Sequence, residues 1–499
     1  MLQYWEINLY TRCLQYLRRE RVPAGMLKRT NSFEDRYNRL LQELRNEILT
    51  GSLRPGEFIL PENTLSEKYE ISRVSVRKVL AQLVDEGLIE KIAGKGNRVR
   101  IPGEDLQRET LTVAWFSTSY ELDIIRNLIV LYEESHPYVK LELLLLPEAE
   151  YVDNLVNLIE HGFGPDVFIL SDIQIRHLIE KDRLDVLMPY VPDHVDIERD
   201  SYRKVFDMFT VEGEVVATPF VFSPVVICYN ERLLADAGVS ESVDDWSDLL
   251  DVAEHSTVKR DGSDIIDSYG FCFSASPNRW PVFLLQNDGR FIEKGGVKAV
   301  LSEPNNVDAL QFCVDLMYKH QVSPIFSHGS SYLAESLFKK ERVAMILTTY
   351  YFMNEFRGHD LRWDVLPLPK RKKPGTLLLG GGLAINSQSK LSEMAKHFID
   401  FMTSKPAQTM LKQQGCTIPM LREVAEDNNL LDPDIHPECY NVFLEVLPHA
   451  STYRDLSLRQ SEVDLVHKEL NLLWANMETP EDACRRIEAL LNERRGVTN

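Results

Sequence analysis

The stretch ISRVSVRKVLAQLVDEGLIEKIAGKGNRVRI, residues 71–101, decides the fold of the first part of this chain. Val76, Val79, Leu80 and Leu83 recur at helical spacing, which predicts a helix from about Val74 to Glu86 with its aliphatic stripe turned inward and Gly87 closing it. Two short runs follow, Leu88–Ile92 and Asn97–Ile101, on either side of a Gly94-Lys95-Gly96 tip, and they read as a β-hairpin. Working upstream, Tyr37, Leu40, Leu41, Leu44 and Ile48 predict a helix over Phe33–Leu49. Leu65 and Tyr69 mark a shorter helix that starts near Asn63 or Thr64 and ends before Ile71. Helix, helix–turn–helix and hairpin in this order form a winged helix-turn-helix, whose second turn helix docks in the DNA major groove.

The outward side chains suit that role. Arg73 and Arg77 lie one turn apart on the exposed face with Ser72 and Ser75 beside them, so donors meet phosphates and base edges while the aliphatic stripe packs inward. On the wing, Lys95, Gly96 and Arg98 are placed to approach a neighbouring phosphate or the minor groove. Charge agrees with this division: the chain carries −20 overall, yet residues 26–103 carry +3 and residues 104–499 carry −25. Attraction to a polyanion is therefore confined to the small N-terminal piece.

Here the chain resembles the GntR family of regulators, over residues 33–101 in unbroken order. The carriers are Leu53-x-Pro55-Gly56, Leu60-Pro61, Leu65 with Tyr69, Ser72-Arg73-x-Ser75-Val76-Arg77, Glu86-Gly87-Leu88-Ile89 and Gly94-Lys95-Gly96-x-x-Val99. The resemblance implies that Arg73 and Arg77 contact operator DNA, that Lys95 and Gly96 approach the minor groove, and that the protein acts as a homodimer on a palindromic site. One departure stands out: Glu62-Asn63-Thr64 is one residue shorter than the family pattern after Leu60-Pro61 and lacks its usual arginine.

Beyond a polar stretch read as a linker, residues 104–110, the pattern changes. Strands at Leu111–Phe116, Val139–Leu146 and Asp166–Leu170 alternate with helices at Asp123–Glu134, Tyr151–Gly162 and near Ile173–Lys181, which predicts βαβ units and a mainly parallel sheet. Val215–Phe220 and Val225–Tyr229 read as two crossing segments. Residues 430–499 end in helices over Leu458–Ala475 and Pro480–Arg494.

This part is similar to the family 1 extracellular, carbohydrate-type solute-binding proteins over about residues 110–430. The matching stretches include Pro165-Asp166-Val167-Phe168, Cys228-Tyr229-Asn230, Asp245-Trp246-x-Asp248-Leu249 and Gly380-Gly381-Gly382. The resemblance implies a two-lobed α/β fold of the periplasmic-binding-protein type II class over residues 111–499, with a sugar or oligosaccharide held between the lobes. Sugar recognition needs aromatic faces and polar side chains on loops after strands. The candidates are Trp115, Tyr120 and Asp172 from the first lobe, with Tyr229, Trp280, Tyr350 and the backbone of Gly380, Gly381 and Gly382 from the second. Trp280, flanked by Asn278-Arg279 and Pro281, is expected to be exposed; Trp115 and Tyr229 serve the ligand or pack in the core, Asp172 serves the ligand or caps the next helix, and the three glycines allow close backbone approach or mark a tight turn.

Several classes have nothing to stand on. No hydrolase, zinc-protease, P-loop or dinucleotide motif appears, so no enzyme is expected and no cofactor or metal. A pyridoxal-phosphate aminotransferase-like regulator is the enzymatic alternative, with Ser389-Lys390 as its one faint lysine; a non-sugar solute is the alternative within the same fold. Seven scattered cysteines without a C-x-x-C pair, and no apolar run long enough to cross a bilayer, lead us to expect a cytoplasmic protein that does not engage membranes. Residues 1–25 read as either a start assigned too early, with Met26 the true first residue, or a disordered arm.

Overall fold

The computed structural model describes residues 32–101, 108–240, 242–325 and 333–497. Residues 1–25 lie outside them, as does most of the stretch expected to be a linker; Glu109 and Thr110 at its end already belong to a strand. The described chain divides into two compact units near residue 101.

In the first unit, helices α1 (Ser32–Leu49), α2 (Glu62–Lys68) and α3 (Arg73–Asp85) pack around Leu40, Leu44, Leu65, Val76, Val79 and Leu83, all buried. The start of α3 is fixed by Ser72, whose Oγ accepts the Ser75 N–H at 3.2 Å. Its end is fixed by Gly87, which takes φ +76° so that the Leu88 N–H returns to the Leu83 carbonyl at 3.0 Å. Strands β1 (Ile89–Ile92) and β2 (Gly96–Val99) form the antiparallel wing, with Ile89 opposite Val99 and Ile92 opposite Gly96. The free edge of β2 is also occupied: the Val99 N–H donates to Glu57 O (2.8 Å) and the Ile59 N–H to Asn97 O (2.9 Å). The Pro55-Gly56 turn therefore delivers a third, strand-like segment to the wing, which local periodicity does not reveal.

In the second unit, β3 (Glu109–Phe116), β4 (Val139–Leu146) and β5 (Val167–Ser171) are parallel, and each is followed by a helix: α4 (Leu122–Ser135), α5 (Tyr151–Glu160) and α6 (Asp172–Glu180). The expected βαβ alternation is present. A second parallel pair, Ile266–Cys272 with Val343–Thr349, lies at the other side of the same sheet. Two long strands join these halves: β6 (Thr218–Asn230), buried at every residue, and Thr376–Asn386, antiparallel to each other. The sheet is thus mixed, and the two expected crossing segments are one continuous strand. Pro219 and Pro224 interrupt the sequence pattern but not the strand, and a register shift between Gly381 and Gly382 absorbs the irregularity beside Pro219.

The terminal helices hold both halves. In α7 (Gln460–Glu469) the Ser461 N–H donates to Glu180 of α6 at 3.1 Å, while Asn492 of α8 (Pro480–Arg494) accepts the Ala299 N–H at 2.8 Å. The helix expected over Leu458–Ala475 is broken at Leu470. No helix among the described residues is long and apolar enough to cross a membrane.

Candidate functional site

On the first unit, Ser72 and Arg73 are exposed at the start of α3 with Arg77 one turn on, and Lys95 and Gly96 are exposed at the wing tip. These five residues are therefore accessible on one unit, at the helix start and the wing tip. Ser75 is different: it is 7% exposed and its hydroxyl lies 2.9 Å from that of Ser72, so it secures the helix start and is not offered to a base. The two remaining arginines carry carboxylate partners that the sequence pattern did not announce. Arg77 Nε donates to Glu62 Oε2 at 2.7 Å, and Arg98 donates across the wing to Glu90 at 2.6 Å. Glu62 is the first residue of α2, at the place where the sequence departs from the GntR pattern.

The second unit contains a cavity of about 610 Å³. Its walls are the loops after the first three strands: Thr118, Ser119, Tyr120 and Glu121 after β3, Glu148 and Glu150 after β4, and Asp172 and Gln174 after β5. The opposite wall comes from Asn278, Arg279, Tyr351 and Phe352, with Gly380 and Gly381 at the crossing strand. Tyr453, Gln460 and Asp464 of the terminal segment complete it. Ligand sites in such sheets lie beyond the carboxyl ends of parallel strands, as here.

Of the expected ligand residues, Tyr120, Asp172, Gly380 and Gly381 line this cavity. Tyr120 stacks edge-on against Phe352 at 4.9 Å. Asp172 is not the helix cap: Ser171 is, its N–H bound by Gln174 Oε1 at 2.9 Å, and the Asp172 carboxylate instead accepts the Tyr453 N–H at 3.3 Å. Burial is the largest influence on Asp172 and pushes its pKa up to about 6 against the pull of that N–H and of Arg176. Glu121, also buried, is likewise raised, with the Ser119 hydroxyl and the Trp115 N–H as its stabilising neighbours.

The other candidates need correction. Trp115 is fully buried in the central strand β3, edge-on to Phe220, and reaches the site only through its Nε1–H, which donates to Ser119 Oγ at 3.1 Å. Trp280 is 1% exposed, not solvent-facing, because Phe291 and Trp474 cover its ring at 5.9 and 6.2 Å. Tyr229 is buried within β6 between two neighbouring strands. Tyr350 is buried with its hydroxyl 2.5 Å from His436 Nδ1; the next residue, Tyr351, is the one that faces the cavity. Gly382 is turned away, and neither it nor Gly380 marks a tight turn. A Cβ at Gly382 would sit 2.9 Å from the Phe209 ring, so packing under the strand favours glycine there, whereas one at Gly380 would meet the flexible end of Met208 at 2.6 Å.

Sequence reasoning missed Glu121, Tyr351, Tyr453, Gln460 and Asp464. The first follows directly on Tyr120 in the loop after β3 and was within reach of the strand-end rule; the last three come from a terminal segment whose return to the cleft has no local signature.

Comparison with known proteins agrees with both units. The model of the bacterial regulatory proteins, gntR family, matches residues 36–99, and that of the bacterial extracellular solute-binding proteins matches residues 118–409. An arabinooligosaccharide-binding protein of Halalkalibacterium halodurans is 24% identical over 318 residues, 60% of this chain and 68% of that protein. The mannosyl-D-glycerate transport/metabolism system repressor of Escherichia coli is 36% identical over 64 residues, which are 13% of this chain and only 27% of the repressor. Among solved structures, an ABC substrate-binding protein of Listeria monocytogenes in complex with cycloalternan superimposes with a TM-score of 0.69 at 21% identity, covering 79% of this chain and all of that one. The fold of residues from about 110 onward is therefore the two-lobed solute-binding fold, and the chain belongs to the bacterial extracellular solute-binding protein family, with a gntR-family regulatory domain at its N-terminal end.

Proposed function

We propose that this protein is a transcriptional regulator whose affinity for operator DNA is set by a small carbohydrate bound in the cavity of its second unit. The observation that carries this reading is the presence, in one chain, of a winged helix with Arg73, Arg77 and Lys95 outward and a 610 Å³ cavity walled by tyrosines, carboxylates and amides. Rings such as Tyr120, Tyr351 and Phe352 supply faces for the C–H side of a pyranose, and Gln174, Asn278 and Gln460 supply partners for its hydroxyls. The solutes named for the similar solute-binding proteins are saccharides. A clamshell that closes on its ligand has two states, and any ligand that prefers one of them shifts the equilibrium. A homodimer reading a palindromic site turns that shift into a change of operator affinity.

An aminotransferase-like reading finds less support: Lys390 sits before the helix Ser392–Met402 and is not among the residues lining the cavity. The test is thermodynamic. Duplexes selected by the full chain from a random library supply the operator, and a thermal-shift screen of saccharides supplies the solute. The solute then changes operator affinity, and operator DNA changes solute affinity by the same factor. Tight solute binding that leaves operator affinity unchanged overturns the proposal.

A further inference from the structure

The cavity is acidic to an extent that hydroxyl recognition does not require. Glu121, Glu148, Glu150, Asp153, Asp172 and Asp464 line it, against Arg279 and His177. Arg279 does not offset them, because it lies 3.3 Å from buried Glu335. Asp153 has its own partner in Lys181, and Asp172 is only partly balanced by Arg176. Glu121 has none: its stabilising neighbours are the Ser119 hydroxyl, the Trp115 N–H and its own backbone N–H, although it is 8% exposed.

Three of these carboxylates share a locale. Tyr351 lies within electrostatic reach of Glu121 and Asp172, and Tyr453 within reach of Asp172 and Asp464. Burial holds Glu121 and Asp172 above the usual carboxylate range, and partial burial does the same for Asp464, which accepts from Gln460 Nε2 at 2.8 Å. An uncompensated buried carboxylate opposes folding, and an amide would accept a sugar hydroxyl without that penalty. Tyr151, which also lines the cavity, has a buried hydroxyl with no hydrogen-bond partner among the described residues.

We infer that the solute is a saccharide carrying a protonated amine, whose ammonium is received among Glu121, Asp172 and Asp464 with tyrosine rings around it. This rests on the carbohydrate-sensor reading above and sharpens it. An ammonium in this position makes charge-assisted hydrogen bonds to carboxylates and meets the faces of Tyr351 and Tyr453. Asp464 and Tyr453 belong to the terminal segment, beyond the residues 118–409 that the family model matches.

The test uses the full chain and matched pairs by isothermal titration calorimetry: glucosamine with glucose, galactosamine with galactose, mannosamine with mannose, and the disaccharide of glucosamine with cellobiose, at a pH where the amine is protonated. The expected result is that at least one amino sugar binds on the order of tenfold or more tighter than its parent. In Glu121→Gln and Asp464→Asn that preference for the amine over its matched parent collapses. Asp464 stands on the exposed face of α7, so its variant carries the test alone if Glu121→Gln fails to fold. A neutral parent that binds as well as or better than every amine, or a preference unmoved in Asp464→Asn, overturns this inference and leaves the carbohydrate sensor standing. No binding of any sugar in the panel overturns both.

Discussion

Asp172→Asn separates what the cleft does for a ligand from what it does to stability. The carboxylate is 3% exposed, and burial raises its pKa from 3.8 to about 6 in the folded chain. Below pH 3.8 both folded and unfolded chains carry the proton and no penalty exists; above about pH 6 both have lost it, and the folded chain holds an anion it would sooner protonate. Stability therefore falls as pH rises through that window. Two units of pKa correspond to roughly 3 kcal/mol at neutral pH. Asparagine keeps an acceptor for the Tyr453 N–H and removes the charge, so the variant is more stable than the parent by up to about 3 kcal/mol at pH 7.5 and equal to it near pH 4. For a unit of this size that is a rise in melting temperature of about 3–4 °C, read by calorimetry of the full chain at the two pH values. A variant that melts no higher at pH 7.5, or whose advantage persists undiminished at pH 4, refutes the reasoning. Under the ammonium inference the same variant also loses affinity for an amine-bearing ligand.

Three further outcomes follow from the contacts described. Glu62→Gln releases Arg77 from its 2.7 Å carboxylate partner, and the slope of log affinity against log salt for duplex DNA steepens by about one; an unchanged slope means Arg77 does not meet a phosphate. Ser72→Ala removes the acceptor that starts α3 and destabilises the N-terminal unit by about 1 kcal/mol, or about 4–8 °C in the melting of that unit; a shift of less than one degree contradicts the capping role. Gly382→Ala drives a Cβ into the Phe209 ring and lowers the stability of the second unit by about 1–3 kcal/mol, whereas Gly380→Ala meets only the flexible end of Met208 and costs less; the reverse order in denaturant midpoints contradicts the packing account.

The winged helix was legible because its instructions are local. The stripe of Val76, Val79, Leu80 and Leu83, the Ser72 cap and the Gly87 stop all act within a few residues, and the observed α3 departs from the expected bounds by one residue at each end. What escaped is what sequence distance hides. Glu62 reaches Arg77 across the turn, and residues 57–59 reach the edge of β2, through contacts that no periodicity encodes.

The cleft was legible in its architecture and only partly in its contents, and the failures have one cause. Aromatic side chains near strand ends were expected to face a ligand, yet an aromatic is also the side chain a sheet most readily buries. Trp115 sits in a strand with neighbours on both edges, Trp280 is covered by Trp474 from the far end of the chain, and Tyr350 differs from cavity-facing Tyr351 by a single step of the backbone. The polar candidate fared better because burying a carboxylate is costly unless something at the site answers it. Asp172 was found from its position after β5, and the same rule applied to the loop after β3 selects Glu121 beside Tyr120. The charged residues immediately after parallel strands, Asp172 and Glu121, thus reach the cavity where Trp115 and Tyr350, buried in the packing, do not.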